Sequence, residues 1–310
     1  MTAGRPPLAG TGGIARNVRP GGMDHDLYPF SAAPGRAPLA WPGGARVALT
    51  VLLVVESRVP DPAHAGWRPP GAPGWLDVSA ASLADYGSRV GYFRLAELLA
   101  GVGARATVPV NDSVVAVARP LVAHARSEGW ELVGHGPSAD HPVTSASTVA
   151  AETALLTGSR DVIRAATGTA PRGWMGPAMS ESWRTPAVAA EAGYDFLLDW
   201  GNDDQPYRMT AGGREIVSVP VPVDTSDLFV LGPYAQTPWD FGAALRAHLD
   251  LLLDEPAASC MTLSLHAHLS GQPYLARHVA EFLRYAAGRD GVWFARASEV
   301  VDAYRSATSV

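Results

Sequence analysis

From Val47 to Val55 every position is apolar or carries a hydroxyl, and the run stops at Glu56. An unbroken, β-branched stretch without alternation predicts a central strand buried on both faces. The same pattern, interrupted by helical periodicity, recurs along the chain. A helix is expected over Tyr92–Ala100, then a strand over Ala104–Val110. A helix over Ser113–Glu128 should break near Pro120 and end at Gly129. Glu131–Gly134 reads as a strand, and Thr148–Thr167 as a helix ended by Gly168. Short strands run into Trp174 and over Asp195–Leu198, with a helix over Thr185–Ala192 between them. Strands over Glu215–Val219, Met261–Leu265 and Val292–Phe294 follow. They alternate with helices over Phe241–Asp254, Ala276–Ala287 and Ala297–Arg305.

Strand and helix alternate about seven times, the mark of a parallel α/β architecture. In a closed parallel barrel the C-terminal strand ends converge on one face. Glu56, Asn111, His135, Trp174, Asp199 and His266 each stand just past such an end. Taken singly each has a bland explanation, but their shared placement points to an active site. The stretch from Ser57 to Leu83, rich in Pro and Gly and carrying Trp67 and Trp75, reads as a long loop that walls or covers it. Residues 1–22 show no periodicity and read as a flexible extension before a single domain over 23–310, with Met23 an alternative start.

Composition narrows the classes. Hydrophobic residues make up 47% and charged ones 17%, enough for a large core. The net charge of −6 gives no electrostatic reason to expect nucleic acid or an anionic membrane as partner. No apolar run approaches the roughly 18 residues a span requires. Arg5 and Arg16 precede no apolar core, so a secretory signal is not expected. Cys260 stands alone, which rules out an internal disulfide and suits a cytoplasmic protein.

Two histidines and a carboxylate, His135, His141 and Glu56 or Asp140, could hold one zinc ion and leave a position for water. His266 could act as general acid and Glu56 or Asp199 as general base. Arg172 and Trp174 would wall and orient a small-molecule substrate, with Arg89, Asn111, Asp203, Asp204 and His268 as further contacts. Arg89 could equally pair with Asp85. There is no phosphate loop after the first strand and no nucleophile elbow, which disfavours nucleotide chemistry and serine hydrolysis.

The order of motifs resembles the polysaccharide deacetylase (NodB homology, carbohydrate esterase 4) superfamily, in particular its allantoinase-like branch. The resemblance spans Asp24 to Tyr304. It is carried by Val55-Glu56, Asp85–Ala96, Arg105–Asp112, Glu131–Gly136, Arg172–Pro177, Gly193–Tyr207, Val217–Pro220 and Leu265–Val279. It implies a distorted (β/α)7 barrel that hydrolyses a carbon–nitrogen bond. His135 falls at the motif that supplies metal-binding histidines, and Arg172 and Trp174 at the next. Asp199 falls at the fourth motif, and His266 at the fifth, whose histidine is the general acid. Two departures stand out. The family's Thr-Phe-Asp-Asp-Gly run is here Val54-Val55-Glu56-Ser57, and its second motif histidine is replaced by Ala139. The allantoinase-like branch also lacks the full metal set, and it suggests a homo-oligomer.

Three readings follow. The chain is a hydrolase of a small linear or cyclic amide or ureide using Glu56, Asp199, His266 and His135. Or it is a metal-dependent N-deacetylase of an amino sugar or secondary metabolite. Or it is a catalytically silent ligand-binding barrel. The expected cofactor is accordingly none, or a single zinc ion.

Overall fold

In a computed structural model, which describes residues 27–58 and 77–308, the run from Val47 forms strand β1 (Val47–Val54), buried at every position. The proposed extension 1–22, and Trp67 and Trp75 of the long loop, lie outside the described residues.

Strands β2 (Thr107–Val110), β3 (Glu131–Gly134), β4 (Gly173–Trp174), β5 (Phe196–Leu197), β6 (Tyr207–Ala211), β7 (Arg214–Ser218), β8 (Ser259–His266) and β9 (Val292–Phe294) complete one sheet. Its order is β6-β7-β5-β4-β3-β2-β1-β8, with β9 also on β1. Every pairing is parallel except β6 with β7. The sheet curls into the distorted (β/α)7 barrel, a single domain. A bridge between Ser226 and Ser264 ties the chain beyond β7 back to β8.

Helix α2 (Tyr92–Ala100), helix α6 (Thr185–Ala192), which follows α5 (Val149–Thr167), and β9 keep the bounds their periodicity predicts. The helix expected over 113–128 divides into α3 (Asp112–Val117) and α4 (Arg119–Ser127), because Pro120 is tolerated only in a first turn. Three elements escape the pattern. Val78–Tyr86 is helix α1, which begins within the stretch read as loop and is followed by a π-helical turn over Gly87–Gly91. Asp227–Leu231 is the short helix α7. Strand β6 is half polar and shows no apolar run, yet Gly212 and Gly213, both with positive φ, make the two-residue turn that a tight hairpin needs.

Alternation along the strands sorts the core. Leu52, Val54, Val133, Met175, Phe196 and Val217 pack together inside the barrel. Leu49, Val51, Leu53, Val108 and Leu263 pack outward with helix residues such as Leu95 and Phe282. Each such side chain contributes roughly 1.5–3 kcal/mol on burial. The same parity turns Glu56, two residues past Val54, and His135, two past Val133, toward the interior at the C-terminal strand ends.

Candidate active site

The register places the central residues side by side. Val54 lies opposite His266, the last residue of β8, and Val110 opposite Gly134, the residue before His135. Glu56, His135, His266 and His268 therefore gather at one mouth, each no more than 7% exposed. His135 Nδ1 donates to the Met175 carbonyl at 2.8 Å, which turns Nε2 toward Glu56 Oε1 at 3.3 Å. His268 Nδ1 lies 4.0 Å from Glu56 Oε2, an oxygen with no hydrogen-bond partner among the described residues. The His266 and His268 rings meet edge to face, their centres 5.8 Å apart.

Behind His266 stands Asp227, fully buried on α7. Its Oδ1 accepts from His266 Nδ1 at 2.7 Å, and its Oδ2 accepts from the His266 backbone N–H at 2.8 Å and the Ser270 hydroxyl at 2.6 Å. This fixes the imidazole ring and leaves Nε2 outside the pair. Asn111 fastens the strand ends to one another. Its carbonyl accepts from Ser57 N–H at 2.9 Å, and its amide donates to the His135 carbonyl at 2.6 Å.

The environments of these groups differ in sign. Burial opposes the charged form of His266, but the Asp227 carboxylate outweighs it, and the net shift is upward. Burial and then the charge of His266 push His268 down. Burial also works against an ionised Glu56. The His135 bond and the three surrounding imidazoles overcome it and hold the carboxyl far below its usual range.

A second group lies beside the first. Asp199 Oδ1 accepts from Gly176 N–H at 2.8 Å, one residue beyond the carbonyl that binds His135. Glu181 Oε2 accepts from Trp200 Nε1 at 2.9 Å. The remaining oxygens, Asp199 Oδ2 and Glu181 Oε1, are shielded from solvent, and the two carboxyls bond to each other. Burial raises both acids, Glu181 to about 7 and Asp199 well above the usual range, as a pair that holds one proton. Asp199 is thus already engaged and stands apart from the histidines.

Several expected site residues lie elsewhere. Arg172 precedes β4, at the opposite end of the strand, and is tied to Asp195 at 2.7 Å and Asp302 at 2.7 and 2.9 Å. Trp174 is fully buried on the outer face of β4, where it packs on Tyr194. Alternation decides this, since the inward residue at that strand end is Met175. Asp203 binds Arg36 of the N-terminal arm at 2.6 and 2.7 Å. The Asp204 carbonyl accepts from Cys260 N–H, six residues before His266 and so about 20 Å along β8. Arg89 is exposed on the π-helical turn, and no bond to Asp85 is seen among the described residues.

The metal set is not assembled. His141 is exposed and bonded through Nδ1 to the Ser138 hydroxyl at 2.8 Å. Asp140 faces Arg58 at 3.4 Å. Among the described residues no three His, Cys, Asp or Glu side chains converge as metal ligands. No helix among them is long and apolar enough to cross a membrane.

Sequence reasoning missed Asp227 and Glu181. Asp227 sits in a short polar segment that reads as an ordinary turn. Glu181 lies in an irregular excursion, where no periodicity announces which way a side chain points.

Comparisons with known proteins agree with this architecture. Residues 79–197 match the family model for polysaccharide deacetylase. A Schizosaccharomyces pombe protein assigned by name to the polysaccharide deacetylases is 27% identical over 251 residues, 73% of this chain and 76% of that protein. The crystal structure of Puue allantoinase superposes with a TM-score of 0.80 at 22% identity, covering 91% of this chain and 99% of that one. A Pseudomonas aeruginosa PAO1 protein assigned to the polysaccharide deacetylases gives 0.79 at 23% identity, over 91% of this chain and 100% of that one. Motif order, the match over residues 79–197 and the fold all point the same way: the chain is similar to the polysaccharide deacetylases.

Proposed function

We propose that this chain hydrolyses the carbon–nitrogen bond of a small amide, cyclic amide or N-acyl compound, using its own side chains as acid and base. The observation that supports this reading is the pair at the end of β8. His266 is held toward the charged form by Asp227, and His268, two residues on, toward the neutral form, with Glu56 facing both. Paired groups pushed in opposite directions are how one site keeps an acid and a base together near neutral pH.

Glu56 stays ionised and orients a water through its unpartnered Oε2. So low a proton affinity makes it a poor final acceptor, so the neutral His268 takes the proton as the water oxygen attacks the carbonyl. His266 then delivers the proton on Nε2 to the departing nitrogen, and the bond to Asp227 keeps the ring in place throughout. His135 anchors the Glu56 carboxylate. Asp199 is left out of the base role because it shares its proton with Glu181.

The test uses the full chain against a panel of N-acetylated amines, cyclic amides and ureides. His266→Asn and Glu56→Gln should each lower kcat/KM at least about 10²-fold on whichever class the parent hydrolyses. Full activity in both variants would sink the assignment. Activity should also survive dialysis against a chelator. Near-stoichiometric zinc, together with loss of activity on chelation, would instead establish the metal-dependent deacetylase reading.

A further inference from the structure

The carboxyl pair lines a cavity of about 350 Å³ whose walls are Met179, Trp183 and Trp200, with Ser145 and Ser182 at its edge. The volume is at the small end of the range for ligand sites. The cavity sits beside the reaction centre. Residues 175 and 176 run between them, one holding His135 and the other holding Asp199. The wall is built with effort. Ala178 and Met179 take consecutive left-handed conformations, with φ of 57° and 51°, although neither is glycine. Strain of this kind collects at ligand clamps. A buried anchor holds the same excursion from behind. Glu152 accepts from Ser182 Oγ at 2.9 Å and from the Thr185 hydroxyl.

The lining has a definite chemical character. Two indoles, their ring centres 6.5 Å apart and tilted by 50°, present flat apolar faces. The two carboxyls bond to each other through their inner oxygens, and one proton between them leaves the pair a single negative charge. A flat group suits the indoles, and a positive charge suits both the ring faces and the carboxyls. Carboxylates and phosphates are rejected by the same pair.

We propose that this cavity is a specificity subsite that takes a planar cationic head, of the guanidino or amidino class, on the substrate whose carbon–nitrogen bond is cut at the histidines. Asp199 and Glu181 read the charge, and Trp183 and Trp200 read the flatness. The substrate class rests on the proposed hydrolysis, whereas occupancy of the cavity can be measured without it.

The probes are methylguanidine, N-methylurea and acetate, titrated separately into the full chain by calorimetry and ligand-observed NMR. Methylguanidine should bind saturably in the millimolar range, N-methylurea at least tenfold more weakly, and acetate not at all. Glu181→Gln keeps one negative charge, because Asp199 then ionises against the glutamine amide, and should bind methylguanidine within about threefold of the parent. The double variant E181Q/D199N is neutral and should lose at least tenfold. Trp183→Ala, which leaves the carboxyl pair intact, should also lose at least tenfold. Equal binding of methylurea and methylguanidine, no saturable binding, or unchanged binding in both E181Q/D199N and Trp183→Ala would overturn the proposal. His266→Asn separates the two readings. It should bind the probe as the parent does, and if it still hydrolyses substrate the reaction mechanism fails while the subsite stands.

Discussion

The two ends of the barrel strands use charge in opposite ways. Before β4, Arg172, Asp195 and Asp302 form a half-exposed network, and before β2, Arg105 pairs with Glu299 at 2.6 Å. Every charge in these groups has an opposite partner in contact with water. At the other end Glu56, His135, His266 and Asp227 are almost wholly buried, and Glu56 keeps an unpartnered oxygen. Exposed pairs are worth at most about 1 kcal/mol. A buried polar atom without a partner costs roughly 1–3 kcal/mol. The unpartnered Glu56 oxygen therefore counts against stability, and the proposed chemistry supplies a use for it.

Breaking the buried end should have the larger effect. Asp227→Asn leaves the shape of the ring's support but removes its charge. It should lower kcat/KM by about 10²-fold, as loss of a charged hydrogen-bond partner does. It should also move the pH profile. In the proposed mechanism His266 works as an acid only while protonated, and the Asp227 carboxylate raises its proton affinity, so activity should fall as pH rises through that raised value. Without the Asp227 charge the alkaline limb should move to lower pH. An unmoved limb would separate Asp227 from the acid. The acid limb follows His268, which burial and then the charge of His266 push below the ordinary imidazole value.

Asn111→Ala comes next. It frees Ser57 N–H and the His135 carbonyl, two groups that position Glu56 and His135. A destabilisation of about 1–3 kcal/mol, read from denaturant unfolding, should accompany an activity loss of about tenfold. The smallest effect belongs to the exposed end. Arg172→Ala should leave kcat/KM within about twofold and cost less than about 1 kcal/mol in the same unfolding measurement. A large activity loss there would erase the contrast between the two ends.

Much of the barrel could be read from the sequence, because β1 is a long apolar run, Met261, Leu263 and Leu265 alternate with hydroxyl residues along β8, and the helices carry caps and periodicity. The placement of His135 and His266 followed from the same signal. Parity was the step that failed. Trp174 was placed by its position at a strand end, yet a side chain one residue off register faces the opposite side of the sheet. Arg172 stood at the strand's beginning, where nothing converges on the mouth. Asp203 and Asp204 looked like site carboxylates because they follow Asp199, but the chain runs on from there to meet the N-terminal arm and the first residues of β8. Asp227 carries no local mark at all. Its role comes from a tertiary contact with β8, which composition and periodicity do not encode.

The π-helical turn bears on how this lineage can vary. A methyl group on Gly91 would sit 2.0 Å from the Ala267 carbonyl oxygen, and one on Gly87 would sit 2.8 Å from the His268 backbone nitrogen. Gly271 meets Gly91 from the other side, where its own added carbon would lie 2.3 Å from the Gly91 Cα. These three positions hold the backbone beneath the histidines at contact distance, with no room for any other residue. In a saturation library they should tolerate fewer alternatives than the charged residues of the mouth. They also offer a fingerprint for finding homologues that have exchanged their catalytic side chains but kept the scaffold.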